Sequence, residues 1–368
     1  MIFNTEKTAE DYSHVEIIGN GDVGLLDTIN KRFTKIWDLY KEMKALDWDE
    51  NEFEYSQCLS DFKKAPTDSS EAMLKTILWQ WEADSVASQC PAVILAPYQP
   101  CTELWEAELR INDNESVHGN TYSEIVRMGF AIPREVLDQM LKKTETFRRL
   151  SVVGEALKEV KRSSTIIQYE REMLGKEPTS EQMFQDMILF YFCMLCLERV
   201  QFMASFAITF TICQSGWFQA IGMAVKKICQ DEFEVHSEFR KEVLLQLIAH
   251  PVGAKVFGKL KPRLANILDN VLDCEINWVH QDIFENGKRS LVGTNAELVS
   301  QWTLFCAKPL VTTFKLDSRY KMPSKNPMPH LEEWIDINKN QSAPQEQDNP
   351  AYKLNIVEFN DSGLRFKI

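Results

Sequence analysis

Residues 115–122, Glu-Ser-Val-His-Gly-Asn-Thr-Tyr, set a carboxylate and an imidazole three positions apart, and residues 230–236, Gln-Asp-Glu-Phe-Glu-Val-His, set a second acid–imidazole group. Residues three or four apart on a helix share a face. Each group is preceded by an acid in a largely apolar helical stretch, Asp84 before the first and Glu198 before the second. The separations agree: 31 residues from Asp84 to Glu115 and 34 from Glu198 to Glu232. Two antiparallel helices rising about 1.5 Å per residue, joined by a short loop, return to the same height after roughly thirty residues. The spacing therefore predicts two helical hairpins, each presenting an acid and an acid–His pair at one level, and a four-helix bundle built from the two.

One acid from each of two helices, with a Glu–His pair from each of the other two, is the donor set of a carboxylate-bridged dinuclear iron or manganese centre. Charge favours metal over four bare buried acids. Asp84, Glu115, Glu198 and Glu232 sum to -4, which two divalent ions, or two trivalent ions with a bridging oxide, neutralise. Without metal, several kcal/mol of desolvation per buried ion would have to be relieved by protonation. The plainer alternative is a set of exposed helical acids with incidental His. Against it stand the apolar neighbours Leu197, Phe202, Phe206 and Ile228. His14, His250, His280 and His330 have no such acid partners in register.

The remainder of the 368 residues supports an all-α chain. Apolar residues at three-and-four spacing run through 25–44, 69–86, 103–128, 133–174, 180–214, 217–248, 261–285 and 294–307. Boundary signals mark several of these: Pro178-Thr-Ser-Glu181 before one, Pro133 in the first turn of another, and Gly175 just past its end. Residues 15–18 are the one short strand-like stretch. It precedes Gly19-Asn-Gly21-Asp-Val-Gly24, which matches a dinucleotide fingerprint, but no second strand ending in an acid follows, so a Gly-rich turn is the better account.

Composition narrows the function. Fifty-four acids against forty-one Lys and Arg give a formal charge of -13, which argues against a nucleic-acid binder with a basic face. Nine Cys, odd in number and scattered, with no apolar leader in the first residues, read as reduced thiols in a cytoplasm; Cys193 and Cys196 lie in an apolar run where Cys acts as a small hydrophobe. That run, continuing to Cys213, is the one candidate for a membrane span. Glu198, Arg199 and Gln201 interrupt it, and a charge at bilayer centre costs about 2.5–3.5 kcal/mol. A buried helix carrying a functional acid fits better. Beyond about Leu316 the texture changes, since five of the fourteen Pro fall between 323 and 350 among Asn- and Gln-rich stretches.

From about Trp48 to Tyr352 the chain resembles the small, radical-generating subunit of class I ribonucleotide reductase. The likeness rests on Asp84-Ser-Val, Glu115-Ser-Val-His118-Gly-Asn-Thr-Tyr122-Ser-Glu-Ile, Glu198-Arg-Val-Gln-Phe202-Met-Ala-Ser-Phe206 and Gln230-Asp231-Glu232. It implies a ferritin-like bundle in which Asp84, Glu115, His118, Glu198, Glu232 and His236 hold two iron ions, oxo-bridged, with manganese as the other metal. It further implies that O₂ reacts there to oxidise Tyr122 to a phenoxyl radical within a pocket of Phe202, Phe206 and Ile228. Trp48, Asp231 and His118 match the family's electron-transfer relay, and Tyr352 with Glu346 its mobile tail. In one respect the chain departs from the family: Glu232 and His236 are four apart where three is usual. A π-bulge would absorb the extra residue. The 34-residue separation selects Glu232 over Glu234, which is two residues from His236 and faces elsewhere.

The expected organisation is an N-terminal arm (1–24), a ferritin-like diiron domain (25–320) and a flexible tail (321–368) that docks on the large subunit. The resemblance implies a homodimer that supplies the radical for reducing ribonucleotides, with no membrane or nucleic-acid partner. Two other readings share parts of this pattern. A ferritin-like oxidase or oxygenase would use the six ligands without needing Trp48, Tyr122 and Tyr352 together, and a non-catalytic helical interaction protein would need none of them.

Overall fold

A computed structural model describes residues 4–21, 24–140 and 144–335. Among these residues there are helices and no strand, apart from an isolated bridge between Leu291 and Thr294. Four long helices form the centre: Thr67–Ala87 with Asp84, Thr102–Gly129 with Glu115 and His118, Ser180–Gln214 with Glu198, and Gln219–Ala249 with Glu232 and His236. The first two pack against each other, and Met203–Gln214 packs back on the Asp84 helix. Thr34–Ala45, Thr144–Leu174, Pro251–Asn277 and Ala296–Phe314 surround them.

The Ser180–Gln214 helix is apolar on every side, and such a helix is stable only inside a core or a membrane. Here 94% of its most apolar stretch is buried within the bundle, so protein rather than lipid covers it. Its start obeys the local signal: the Thr179 hydroxyl accepts from the Gln182 N–H at 3.2 Å. The preceding long helix ends at Leu174, and Gly175 takes φ +59°, the left-handed conformation that glycine adopts without steric cost.

Several expected boundaries shift. The helix expected from residue 25 begins at Thr34, because Asp27 accepts from the N–H groups of Ile29 and Asn30, and this local turn competes with helix. The helix expected from residue 261 begins ten residues earlier. Pro251 occupies its first turn, His250 Nδ1 accepts from the Val252 N–H, and Pro262 lies inside the helix rather than at its start. The last long helix likewise runs past Pro309 to Phe314. Pro133–Met140 and Thr144–Leu174 both fall within the single helix expected over 133–174, and the residues between them lie outside the described ones.

Residues 15–18 form no strand. Ile17 and Ile18 are buried, and the Ile17 carbonyl and Gly19 N–H bond to Cys101 and Tyr98. Gly19 and Gly21 have φ of +82° and +72°, as a turn requires, and among the described residues no strand follows to build a dinucleotide-binding unit.

Candidate metal centre

The six side chains singled out by spacing converge in the interior, each at most 1% exposed. Their donor atoms form two overlapping groups. Asp84, Glu115, His118 and Glu232 each offer one atom within 4.8 Å of the others, and so do Glu115, Glu198, Glu232 and His236. Glu115 and Glu232 belong to both groups, so each would be within reach of two ions. His118 Nδ1 lies 3.3 Å from Glu115 and 3.2 Å from Glu232, and His236 Nδ1 lies 3.5 and 3.4 Å from the same two residues.

Local backbone irregularity puts the donors there. Residues Leu197–Gln201 and Asp231–His236 are π-helical turns within their longer helices. The Phe202 N–H reaches back five residues to Leu197, and the Ser237 N–H five residues to Glu232. A π turn advances less per residue than an α turn, so a step of four falls short of a full turn, as a step of three does on an α-helix. The extra residue between Glu232 and His236 is absorbed in this way. Side chains hold both irregular turns: the Phe233 carbonyl accepts from Arg199 at 2.8 Å and Ser237 at 2.6 Å, and the Gln201 carbonyl accepts from Trp79 and Arg149. Glu232 enters both donor groups and Glu234 enters neither.

Whether these residues suit metal ions is decided by their unused atoms. Apart from the contacts of the two Nδ1 atoms with Glu115 and Glu232, both oxygens of Asp84, Glu115 and Glu232, Oε2 of Glu198 and Nδ1 of both His are buried without a hydrogen-bond partner. So many buried lone pairs left unmatched would be strongly destabilising, and divalent ions with oxygen and imidazole preference match them all. Electrostatics agree. Burial, then Glu115, pushes Asp84 well above the usual carboxylate range. Burial also lifts Glu198 to about 8, against the pull of Arg240. Burial disfavours charge on Glu115 too, but His118 and His236 hold it at about 2. The imidazoles are lifted despite burial, His236 to about 10, by the carboxylates around them. Protons on the two His thus stand where metal charge would be.

Behind His118, Asp231 accepts from the Trp48 indole N–H at 2.7 Å and lies 3.0 Å from His118 Nε2. This leaves Nδ1 facing the cluster and fixes the ring. The Trp48 and His118 rings stack at 5.8 Å. Tyr122, one turn beyond His118, is fully buried with its hydroxyl unpartnered; burial and then Asp84 push its ionisation far up, so the phenol is neutral. Phe202 and Phe206 stack at 5.5 Å, and both are buried, as is Ile228. Tyr352 and Glu346 lie outside the described residues.

A family model described as "Ribonucleotide reductase, small chain" matches residues 28–327. The chain belongs to that family. Among its relatives is the ribonucleoside-diphosphate reductase subunit beta of Haemophilus influenzae, 22% identical over 342 residues, covering 89% of this chain and 90% of the relative. The ribonucleotide reductase R2 subunit of Clostridium botulinum superposes with a TM-score of 0.74 at 19% identity, over 91% of this chain and 98% of that one. The dimanganese(II) NrdF of Streptococcus sanguinis superposes with a TM-score of 0.65 at 14% identity, over 84% and 98%. These likenesses establish the shared ferritin-like fold, and membership makes the chain a subunit of an oxidoreductase, ribonucleoside-diphosphate reductase.

For this small-chain member, sequence reasoning missed two residues at the site. Arg240, fully buried, donates from Nε to Glu198 Oε1 at 2.9 Å and pairs through Nη1 with buried Glu108. A signal for both existed. Arg240 follows His236 by one turn, and Glu108 precedes Glu115 by two, each on its ligand's face.

Proposed function

We propose that the chain is the radical-generating subunit of ribonucleoside-diphosphate reductase, with Asp84, Glu115, His118, Glu198, Glu232 and His236 as ligands of two iron or manganese ions. The observation that carries this reading is the coincidence of buried, unmatched donor atoms in two groups sharing Glu115 and Glu232 with an unpartnered Tyr122 one turn away. When bound, the metal pair supplies the oxidising power, drawn from O₂, that removes an electron and a proton from Tyr122.

The chain's own residues do the rest. Tyr122 is oxidised as a neutral phenol, so the proton must leave with the electron, and its burial shields the product from water and reductants. Asp231 orients His118 and joins it to Trp48, a hydrogen-bonded path leading away from the cluster. On this reading the path continues through Glu346 and Tyr352 to a separate large subunit, which binds the ribonucleotide and is docked by the C-terminal tail. The working form is a homodimer in the cytoplasm, organised as arm (1–24), bundle (25–320) and tail (321–368).

The same six ligands could serve an oxidase or oxygenase, but the Trp48–Asp231–His118 path favours export of an electron hole. Iron titration of the metal-free protein should reach two ions per chain, and reaction with O₂ should yield the electron paramagnetic resonance signal of a tyrosyl radical. Tyr122→Phe should keep both metals and lose that signal. A chain that bound no iron, or an undiminished radical in the variant, would refute the proposal.

A further inference from the structure

Glu198 divides its two oxygens. Oε1 accepts from Arg240, whereas Oε2 is buried, unpartnered and in the donor group with Glu115, Glu232 and His236. Arg240 is fully enclosed and is itself gripped by Glu108, 1% exposed, from the Glu115 helix. An arginine alone beside Glu198 would cancel its charge and compete with a cation for it. With Glu108 behind it, Arg240 brings a directional hydrogen bond and no net charge, since the two sum to zero. Arg240 therefore holds one Glu198 oxygen without cancelling the charge that the carboxylate offers the cluster.

We propose that Arg240, backed by Glu108, is a positioning residue that restricts Glu198 to one-oxygen ligation of the metal it shares with His236. The inference rests on the metal-site reading above, and concerns the binding mode of one ligand within it. A carboxylate free at both oxygens can swing between one-oxygen, chelating and bridging modes. Arg240 and Glu108, approaching from two helices, remove that freedom.

The test is crystallographic, on the full chain loaded with Mn(II) alone and read by anomalous scattering. Wild type should hold two Mn(II) with only Glu198 Oε2 bound, and Arg240→Met should hold two with both oxygens bound. Two ions with Glu198 chelating in wild type, or with one oxygen bound in Arg240→Met, would overturn the inference while leaving the metal site standing. No ion beside Asp84 and Glu115 would instead remove the underlying reading. Glu108→Gln, which keeps the Arg240 contact, covers the case where Arg240→Met does not fold. With its charge no longer balanced, Arg240 should weaken the Mn(II) bound near His236 by about tenfold, equivalent to about 1.4 kcal/mol, and leave the other ion unchanged. Equal affinities in wild type and Glu108→Gln would refute the balancing role.

Discussion

Replacing Arg149 by Met probes how the irregular turn at Glu198 is supported. The Arg149 guanidinium carbon lies 3.6 Å from the ring centroids of both Trp79 and Trp278, clamped between them. Nε and Nη2 reach Glu275 at 2.9 and 2.5 Å, and Nη2 also donates to the Gln201 carbonyl at 3.1 Å; the Gln201 amide returns a bond to the Arg149 carbonyl. Both charged groups are essentially inaccessible. Burial, as the largest influence, pushes Arg149 down and Glu275 up, in each case against its partner. Desolvation thus outweighs attraction on both sides, and the pair adds little net stability while each member needs the other.

Arg149→Met leaves Glu275 buried without its charge partner and should cost about 3–5 kcal/mol. The double variant Arg149→Met with Glu275→Leu removes both charges and loses chiefly the two ring contacts, so it should cost about 1–2 kcal/mol. The single variant should also recover in acid. A carboxyl whose folded pKa is raised contributes stability that is present below its unfolded value, near 4.3, and is lost as pH rises through the folded value. The deficit should therefore shrink from pH 7 towards pH 5, by at most about 1.4 kcal/mol per pH unit. Urea unfolding of metal-free protein, followed by far-ultraviolet circular dichroism, measures all three quantities. A single variant within 1 kcal/mol of wild type, or a double variant as costly as the single, would refute the reasoning.

Metal loading should release protons, because His118 and His236 are protonated at pH 7 without metal and must be neutral to bind it; Mn(II) affinity measured by calorimetry should rise from pH 6 to pH 8, and a flat profile would contradict this. Trp48→Phe removes the N–H bonded to Asp231, and should leave metal content and the Tyr122 signal intact while turnover with the large subunit falls about 10- to 100-fold; unchanged turnover would remove Trp48 from the path. Phe206→Ala opens a void in a ring stack that is 1% exposed, and should cost about 3–5 kcal/mol and shorten the radical's lifetime as followed by paramagnetic resonance; a wild-type lifetime would show that Phe206 does not shield it.

The separations of 31 and 34 residues, with the Glu–His groups, were enough to read the bundle, the level of the site and the six converging side chains from sequence. They are legible because helix rise and periodicity turn spacing along the chain directly into height and face. Helix ends at Thr34 and Pro251 were not, because Asp27 and Pro262 each fit two local structures, and the bonds made by Asp27 and His250 set the ends. Glu232 could be preferred over Glu234 on spacing, but whether a four-residue step would serve depended on the π turn at 231–236. That turn persists because Arg199, from the Ser180–Gln214 helix, and Ser237, one turn on in its own helix, satisfy its Phe233 carbonyl. The pairing of Arg240 with Glu198 and Glu108, and the Trp79–Arg149–Trp278 clamp, were decided by tertiary structure. A buried charge is tolerable only where a partner of opposite sign arrives, and those partners come from residues 42 to 132 positions away.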